Sequence, residues 1–249
     1  MLVKTEGIVI RTRDYGEANK IVVLYTREHG KIALMARGAK KAQSRLRGVT
    51  QVLTHGQYLY FAGRGMGNLN QGETIHTFHS LHEDILTMSY AAYIVELLEK
   101  MTEDAEPNGY LFHLLEKILL SLQEGKDADI LCRIFELKLL ALSGYRPQLE
   151  ACVHCGATDR PYTFSAAKGG FLCLDCRQHD PQGLTLSPAS QRLLRLFLYF
   201  DIDRLGDIRV KEETKRQLER AMRAYIDYHT DLYLKSRQFL EQMLQFENE

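Results

Sequence analysis

The chain has no tryptophan, no apolar run near the roughly 18 residues that a bilayer span requires, and no acidic residue between His29 and Gly72. Without a long apolar run, no membrane-spanning helix is expected. The opening Met1-Leu2-Val3-Lys4-Thr5-Glu6-Gly7 lacks the basic region and apolar stretch of a secretory signal, so a cytoplasmic location is expected. No Gly-x4-Gly-Lys-Ser/Thr loop is present to cradle a triphosphate. Gly63-Arg64-Gly65-Met66-Gly67 is glycine-rich, but it lacks the G-x-G-x-x-G pattern and a following helical stripe. No GxSxG or HExxH signature occurs, and the nine histidines are scattered. The expectation is a protein without bond chemistry; an active site assembled in space from distant residues is the open alternative. Internal repeats and low-complexity segments are also missing.

What is present describes an ordinary globular chain. Its 249 residues suffice for one large domain or two ordinary ones, and 45% hydrophobic with 26% charged residues is typical. The formal net charge of zero hides an asymmetry. Residues 1–80 hold 12 Lys and Arg against 5 Asp and Glu, and the excess of acid lies beyond them. Such a split points to a polyanion meeting the N-terminal part, or to two separately solvated surfaces.

Residues 1–80 read as five short strands: Val3 to Arg13, Lys20 to Tyr25, Lys31 to Ala36, His55 to Phe61 and Leu69 to Phe78. Turn signals at Asp14-Tyr15-Gly16, Glu28-His29-Gly30 and Gly63 to Asn68 separate them. Five strands in so short a length predict a small closed barrel of the OB type, since closure removes exposed edges; an SH3-like barrel fits the same pattern. From about residue 82 the period becomes helical, with Leu86, Tyr90, Tyr93, Leu97 and Met101, then Leu111, Leu114, Leu115, Ile118, Leu119 and Leu122. A third helix is predicted from Asp129, stopped by Gly144 and Pro147. The helical period lapses over 148–183 and resumes at Ser187-Pro188, a cap followed by a first-turn proline. The fold class expected is α+β multidomain. Residues 1–80 form an OB-type barrel, and residues 81–249 form an all-α domain with a four-cysteine zinc finger inserted at about 148–183.

The finger rests on Cys152-x2-Cys155 and Cys173-x2-Cys176, separated by seventeen residues. Two residues between thiolates let a tight knuckle aim both sulfurs at one point, and two knuckles complete a tetrahedron. Four thiolates leave no open position, so one structural Zn2+ is expected; iron in a rubredoxin-like centre suits the same ligands. Gly156 follows the first pair, where a knuckle often needs positive φ, and Gly169-Gly170 can turn a hairpin before the second. His154 and His179 lie nearby but are not needed as ligands. The fifth cysteine, Cys132, stands in an apolar helical stretch and reads as a small core residue.

The acid-free stretch from His29 to Gly72 carries seven cations, five of them in Arg37-Gly38-Ala39-Lys40-Lys41-Ala42-Gln43-Ser44-Arg45-Leu46-Arg47. Gly38 and Gly48 bracket most of this segment, which suggests a mobile loop between barrel strands. Arg37, Lys40, Lys41, Arg45, Arg47 and, on the glycine-rich hairpin, Arg64 are the candidate phosphate contacts. A merely solvated surface loop is the competing reading. Tyr15, Tyr58, Tyr60 and Phe61 are candidates for stacking bases, although core packing is the ordinary role of each, and the lack of tryptophan weakens the stacking argument.

Taken together, these residues resemble the RecO family of recombination mediators. The likeness lies in Gly7-Ile8-Val9-Ile10 with Asp14-Tyr15-Gly16-Glu17, Ile21 to Thr26, His29-Gly30-Lys31, and Arg37-Gly38-Ala39 with Ser44 to Gly48. Gly63-Arg64-Gly65 with Leu69 and Glu73, the cysteine-bearing insertion, and Leu234-Lys235-Ser236-Arg237-Gln238-Phe239-Leu240 extend it over nearly the whole chain. The resemblance implies an OB-fold followed by a helical domain with a zinc finger. It implies a cytoplasmic, nucleoid-associated bacterial DNA repair protein without catalytic residues. It implies binding to single- and double-stranded DNA, annealing of complementary strands, association with RecR, and help in loading RecA onto DNA coated by single-strand-binding protein. It further implies that the acidic C-terminal tail of single-strand-binding protein docks on the helical domain, with Arg133 and Lys138 as candidate rim cations. A zinc-ribbon RNA-binding factor of transcription or translation is the alternative function.

Overall fold

The computed structural model describes residues 1–63 and 65–247. Five strands close into a barrel: β1 (Leu2–Tyr15), β2 (Asn19–Thr26), β3 (Gly30–Ala36), β4 (His55–Phe61) and β5 (Gly67–His76), in the order β1-β2-β3-β5-β4. All neighbours are antiparallel except β3 and β5, which pair in parallel at Leu34↔Gly67 and Met35↔Asn68. A one-turn helix, α1 (Leu46–Val49), lies between β3 and β4. This closure is of the OB type, which decides between the two barrels that the strand pattern allowed. β1 is long because it serves two neighbours. Leu2 to Ile8 pair with β4 and Gly7 to Tyr15 pair with β2, and the register shifts between Val9 and Arg11.

The barrel interior is filled by Val9, Val22, Leu24, Leu34, Ala36, Tyr58, Tyr60 and Leu69, with Ala39 and Val49 from the connection between β3 and β4. Ile8 and Ile10 are buried as well, although they alternate with Val9. A helix, α2 (Ile85–Met101), packs on β1 and covers part of its outer face. Alternation is therefore only partial in the sequence, because both faces of β1 exclude water.

Contacts group the chain into two compact units, Met1–Glu124 with Ser236–Glu249, and Gly125–Lys235. The predicted boundary near residue 80 marks the change from strand to helix. The first unit also holds α2, α3 (Gly109–Gln123) and nearly all of α7 (Lys235–Glu247). Lys31 of β3 donates from Nζ to the carbonyls of Glu99 (2.8 Å) and Thr102 (2.7 Å) at the end of α2. A cation there satisfies orphan carbonyls and meets the negative end of the helix dipole. Gly30 has φ 63, and a Cβ on it would meet the Glu106 carbonyl oxygen at 2.2 Å, so only glycine allows this approach. At the chain's end, Ser236 donates to the Glu96 carboxylate from its backbone N–H (2.8 Å) and its hydroxyl.

A partly buried ionic cluster around buried His55 joins the barrel to α3. Glu6 accepts from Arg27 Nε (3.1 Å) and lies 2.9 Å from His55 Nε2, while His55 Nδ1 is 3.7 Å from Glu116 of α3. Glu6, His55 and Glu116 are close enough to hold a metal ion, but Arg27 already supplies the cation, 3.7 Å from Glu116 and 4.6 Å from the Phe112 ring centre. Burial works against the Glu6 carboxylate, yet hydrogen bonds from Arg27 and His55 outweigh it and hold the pKa below its ordinary 4.5. A depressed carboxylate pKa stabilises the fold above the unfolded value and loses that contribution as pH falls through the folded one. Glu6→Gln should therefore flatten the fall in melting temperature between about pH 5 and pH 3. Thermal melts across that range check this, and an acid limb identical to the wild type counts against the cluster as a lock.

The second unit is built around α4 (Ala128–Leu142), whose residues from Ile130 to Leu140 are all buried. Its N-cap is Asp127, which accepts from the Ile130 N–H at 3.2 Å; Asp129, the predicted start, is one residue inside the helix. Gly144 (φ 86) ends this helical stretch as expected. A three-stranded sheet follows, of β6 (Tyr162–Ser165), β7 (Gly170–Cys173) and β8 (Leu184–Thr185), then α5 (Pro188–Tyr199) and α6 (Glu212–His229). Ser187 caps α5 and proline begins it, as the sequence predicts.

Candidate nucleic-acid interface and metal centre

The connection from β3 to β4 carries the basic segment. Arg37, Lys40, Lys41, Arg45 and Arg47 are all exposed, while Ala39, Val49 and Thr50 between and after them are buried. The segment is not a free loop. Gly38 donates its N–H to Asn19 Oδ1 (2.9 Å), Lys40 to the Ala18 carbonyl (3.0 Å) and Lys41 to the Gly38 carbonyl (3.0 Å). Ser44 N–H reaches the Lys41 carbonyl (3.0 Å) and Arg47 N–H the Ser44 carbonyl (3.1 Å). Successive turns run into α1, so the expected mobile loop is a pinned shelf that presents its cations outward. Small residues make this possible, because Ala39 can enter the barrel end without pulling its charged neighbours in.

Among the described residues Arg37, Lys41, Arg45 and Arg47 make no ion pair. Lys40 does: its Nζ lies 2.8 Å from Asp14 on the β1–β2 hairpin. That hydrogen bond holds the Asp14 carboxyl below its ordinary value. An acid-free run in sequence is therefore not free of partners in space. An exposed pair of this kind contributes little and yields readily to a phosphate. The same hairpin adds Arg13 and Lys20, which sequence spacing did not single out. Their signal is the strand register, which sets Lys20 opposite Ala36, the residue before Arg37. Arg64 lies outside the described residues.

The candidate aromatics divide cleanly. Tyr58 and Tyr60 belong to the barrel core, and the Tyr58 hydroxyl donates to the Val49 and Thr54 carbonyls at 3.0 and 3.1 Å. Tyr15 and Phe61 are 55% and 51% exposed, so these two are available to unpaired bases.

In the second unit the four cysteines converge. Cys152 and Cys155 lie in one knuckle, Cys173 ends β7, and Cys176 lies in the following turn of 3-10 helix. Gly156 has the expected positive φ of 74 and donates to the Cys152 carbonyl at 2.9 Å. Val153 N–H bonds the Phe171 carbonyl (2.8 Å), which ties the knuckle to β7. All four sulfurs lie within 4.8 Å of one another, and Cys155 Sγ is 3.7 Å from Cys173 Sγ. A disulfide needs about 2.0 Å, whereas a tetrahedron with metal–sulfur bonds of about 2.3 Å has edges near 3.8 Å. The site fits one ion held by four thiolates. Burial opposes the Cys152 thiolate, but backbone N–H groups of Cys155, Cys173 and His154 bring its pKa to about 6. Burial and the neighbouring sulfurs push the Cys176 thiol up to about 12. The His154 and His179 rings stack on each other at 3.8 Å. Cys132 is fully buried in α4, consistent with a core residue.

Arg133 and Lys138, the candidate rim cations, are 4% and 5% exposed. The Arg133 guanidinium lies 3.1 Å from Glu136 and 3.4 Å from Asp129, and donates to Cys132 Sγ at 3.3 Å. It is the partner of two carboxylates inside the unit, and an incoming acid must compete with both.

No helix of the described residues is long and apolar enough to cross a membrane. Comparison with known proteins agrees with this architecture. The family model described as recombination protein O N terminal matches residues 1–78, and that described as recombination protein O C terminal matches residues 82–238. The DNA repair protein RecO of Bacillus pumilus is 51% identical over 243 residues, covering 98% of this chain and 95% of the relative. Those of Halalkalibacterium halodurans and Bacillus subtilis are 48% and 47% identical over 243 residues, each covering 98% of this chain and 96% and 95% of the relatives. With both halves of the chain matched and near-complete coverage of such relatives, this chain belongs to the RecO family.

Proposed function

We propose that this protein is a DNA-binding recombination mediator in bacterial DNA repair. In this reading it binds single- and double-stranded DNA, anneals complementary strands, and works with RecR to load RecA onto DNA covered by single-strand-binding protein. It is cytoplasmic, associates with the nucleoid, and performs no bond chemistry. The observation that carries the reading is the shelf of five exposed cations on an OB-type barrel, beside exposed Tyr15 and Phe61, in a chain of the RecO family.

The mechanism is electrostatic. Arg37, Lys40, Lys41, Arg45 and Arg47 neutralise phosphates without reading bases, and Arg64, between β4 and β5 in sequence, is proposed as a further phosphate contact. Two strands held against one set of cations repel each other less, so complementary segments can pair. One structural zinc is assigned to Cys152, Cys155, Cys173 and Cys176, where it cross-links the knuckle to β7. The acidic tail of single-strand-binding protein docks on the second unit, but not at Arg133 and Lys138, which are buried in α4 and cannot rim a groove.

The alternative, a zinc-ribbon factor that binds RNA, makes a different demand. In a competition titration followed by fluorescence anisotropy, unlabelled single-stranded DNA should displace a labelled DNA strand at least about tenfold more effectively than structured RNA does, because unpaired bases are needed at Tyr15 and Phe61. Preferential displacement by structured RNA would favour the alternative.

A further inference from the structure

The excess acid of the chain is not spread over its helices. Residues 81–124 hold 2 Lys and Arg against 9 Asp and Glu, whereas residues 125–235 hold 17 against 15. The second unit is therefore mildly basic, and like-charge repulsion does not bar it from DNA. It also exposes aromatic rings. Tyr145, Tyr199 and Tyr228 are 40%, 59% and 61% exposed, although tyrosine normally buries most of its ring.

These rings form a chain of contacts through Arg146 and one histidine. The Arg146 guanidinium lies 5.1 Å from the Tyr199 ring centre. Tyr145, the residue before it, is 6.5 Å from the His229 ring, and Tyr228 is 5.2 Å from His229 on the other side. His229 is fixed from behind by buried Tyr225 at 4.2 Å and by the Ala166 carbonyl, 2.8 Å from Nε2. The rings stand at the ends of helices that pack together: Tyr145 just past α4, Tyr199 closing α5, and Tyr228 next to last in α6. Their backbones are therefore held by the core. Arg146, Arg192 two turns before Tyr199 on the same stripe of α5, and Lys168 two residues beyond Ala166 are exposed and make no ion pair among the described residues. Asp227 and Asp231 flank Tyr228, and Asp227 is already near Arg223 at 4.0 Å.

We infer that Tyr145, Arg146, Tyr199 and Tyr228 form a second single-stranded DNA site, separate in sequence and in unit from the basic shelf of the barrel. Unpaired bases stack on the three rings, and Arg146, Lys168 and Arg192 meet the phosphates between them. Helix C-termini offer no anion site of their own, so these side chains carry the charge. A duplex cannot use the surface, because its base faces are covered by their neighbours. The inference rests on the DNA-binding reading above and extends it: one chain then grips two strands, which is what annealing requires.

The test uses the full chain and a labelled oligothymidine. Replacing Tyr145, Tyr199 and Tyr228 by alanine should weaken single-strand affinity by about a hundredfold or more, from stacking worth roughly fivefold or more at each of the three rings. The slope of log affinity against log salt and the affinity for duplex should stay at the wild-type values. Phenylalanine at the same positions should restore binding, since it keeps the rings. Arg146→Ala, a single exposed change, should weaken single-strand binding several-fold, and it serves as the readout if the triple alanine variant loses its circular-dichroism spectrum. Both variants binding single strands as the wild type does would overturn the inference and leave the barrel reading standing. An equal loss on duplex would also overturn it, since stacking would not be the cause. A variant that keeps its DNA affinity but loses an acidic tail peptide would reassign the surface to protein. A wild-type chain that binds neither DNA form would overturn both readings.

Discussion

Changing Cys152, Cys155, Cys173 and Cys176 to serine should remove one zinc per chain and unfold the segment from 148 to 183. The spacing of the four sulfurs already suits a tetrahedral ion, whereas the rest of the segment is anchored through side chains of β6 and β7 such as Phe164 and Phe171 and leaves the knuckles to the metal. Its strands are four residues or shorter. Structural zinc supplies an apparent ~10–16 kcal/mol in small peptides, comparable to the whole stability of a typical domain. The loss should spread to α5, because Arg195 donates to the Leu149 carbonyl at 2.5 Å and covers the Tyr162 and Phe171 rings at 5.5 and 5.1 Å. Elemental analysis of protein purified without added metal should find one zinc and no iron. Hydrogen exchange over 148–183 should rise by orders of magnitude in the serine variant while the barrel strands keep their protection. Retained metal in the variant, or a well-folded wild type without any, would contradict the assignment.

The second large effect belongs to the basic shelf. Four phosphates met by Lys40, Lys41, Arg45 and Arg47 should contribute roughly −3 to the slope of log affinity against log salt on single strands, at about 0.7 counterions per phosphate. Alanine at all four positions should remove that share of the slope, and affinity should fall by similar factors on every base sequence. Lys40 should contribute least, because binding must release it from Asp14. Lysine at positions 45 and 47 should be milder than alanine, since charge is kept although the bidentate fork is lost. The barrel should stay folded, as the side chains removed are exposed and the residues that pin the shelf, Ala39 and Val49, are untouched. Anisotropy titrations at several salt concentrations measure this. A wild-type slope in the variant would move the DNA site off the shelf.

Much of this architecture is legible in the chain because it is set locally. Strand lengths, the helical stripes, the Ser187-Pro188 start and the paired cysteines each depend on residues a few positions apart. The parts that resist reading are those where distant segments meet. Asp14 finds Lys40 only through the β1–β2 hairpin, so an acid-free run looked unpaired. Tyr58 and Tyr15 carry the same side chain, and only barrel closure buries one and exposes the other. Arg133 follows a helical position that suits a solvated cation, yet α4 is enclosed on every side and brings Asp129 and Glu136 to it. The return of the last helix to the first unit leaves no local mark, because a contact such as Ser236 with Glu96 spans 140 residues. The platform of Tyr145, Tyr199 and Tyr228 is likewise invisible to periodicity, since each ring sits at the end of a different helix.

The central claim is that exposed cations on the barrel let this chain bring complementary strands together. The most direct measurement is the rate at which two complementary strands, each coated with single-strand-binding protein, become duplex in the presence of the wild type and of the Lys40, Lys41, Arg45 and Arg47 alanine variant. The account expects the wild type to accelerate pairing well above the protein-free rate, more at low salt than at high, and the variant to lose most of that acceleration. Equal acceleration by both proteins, or none by the wild type at any salt concentration, would contradict it.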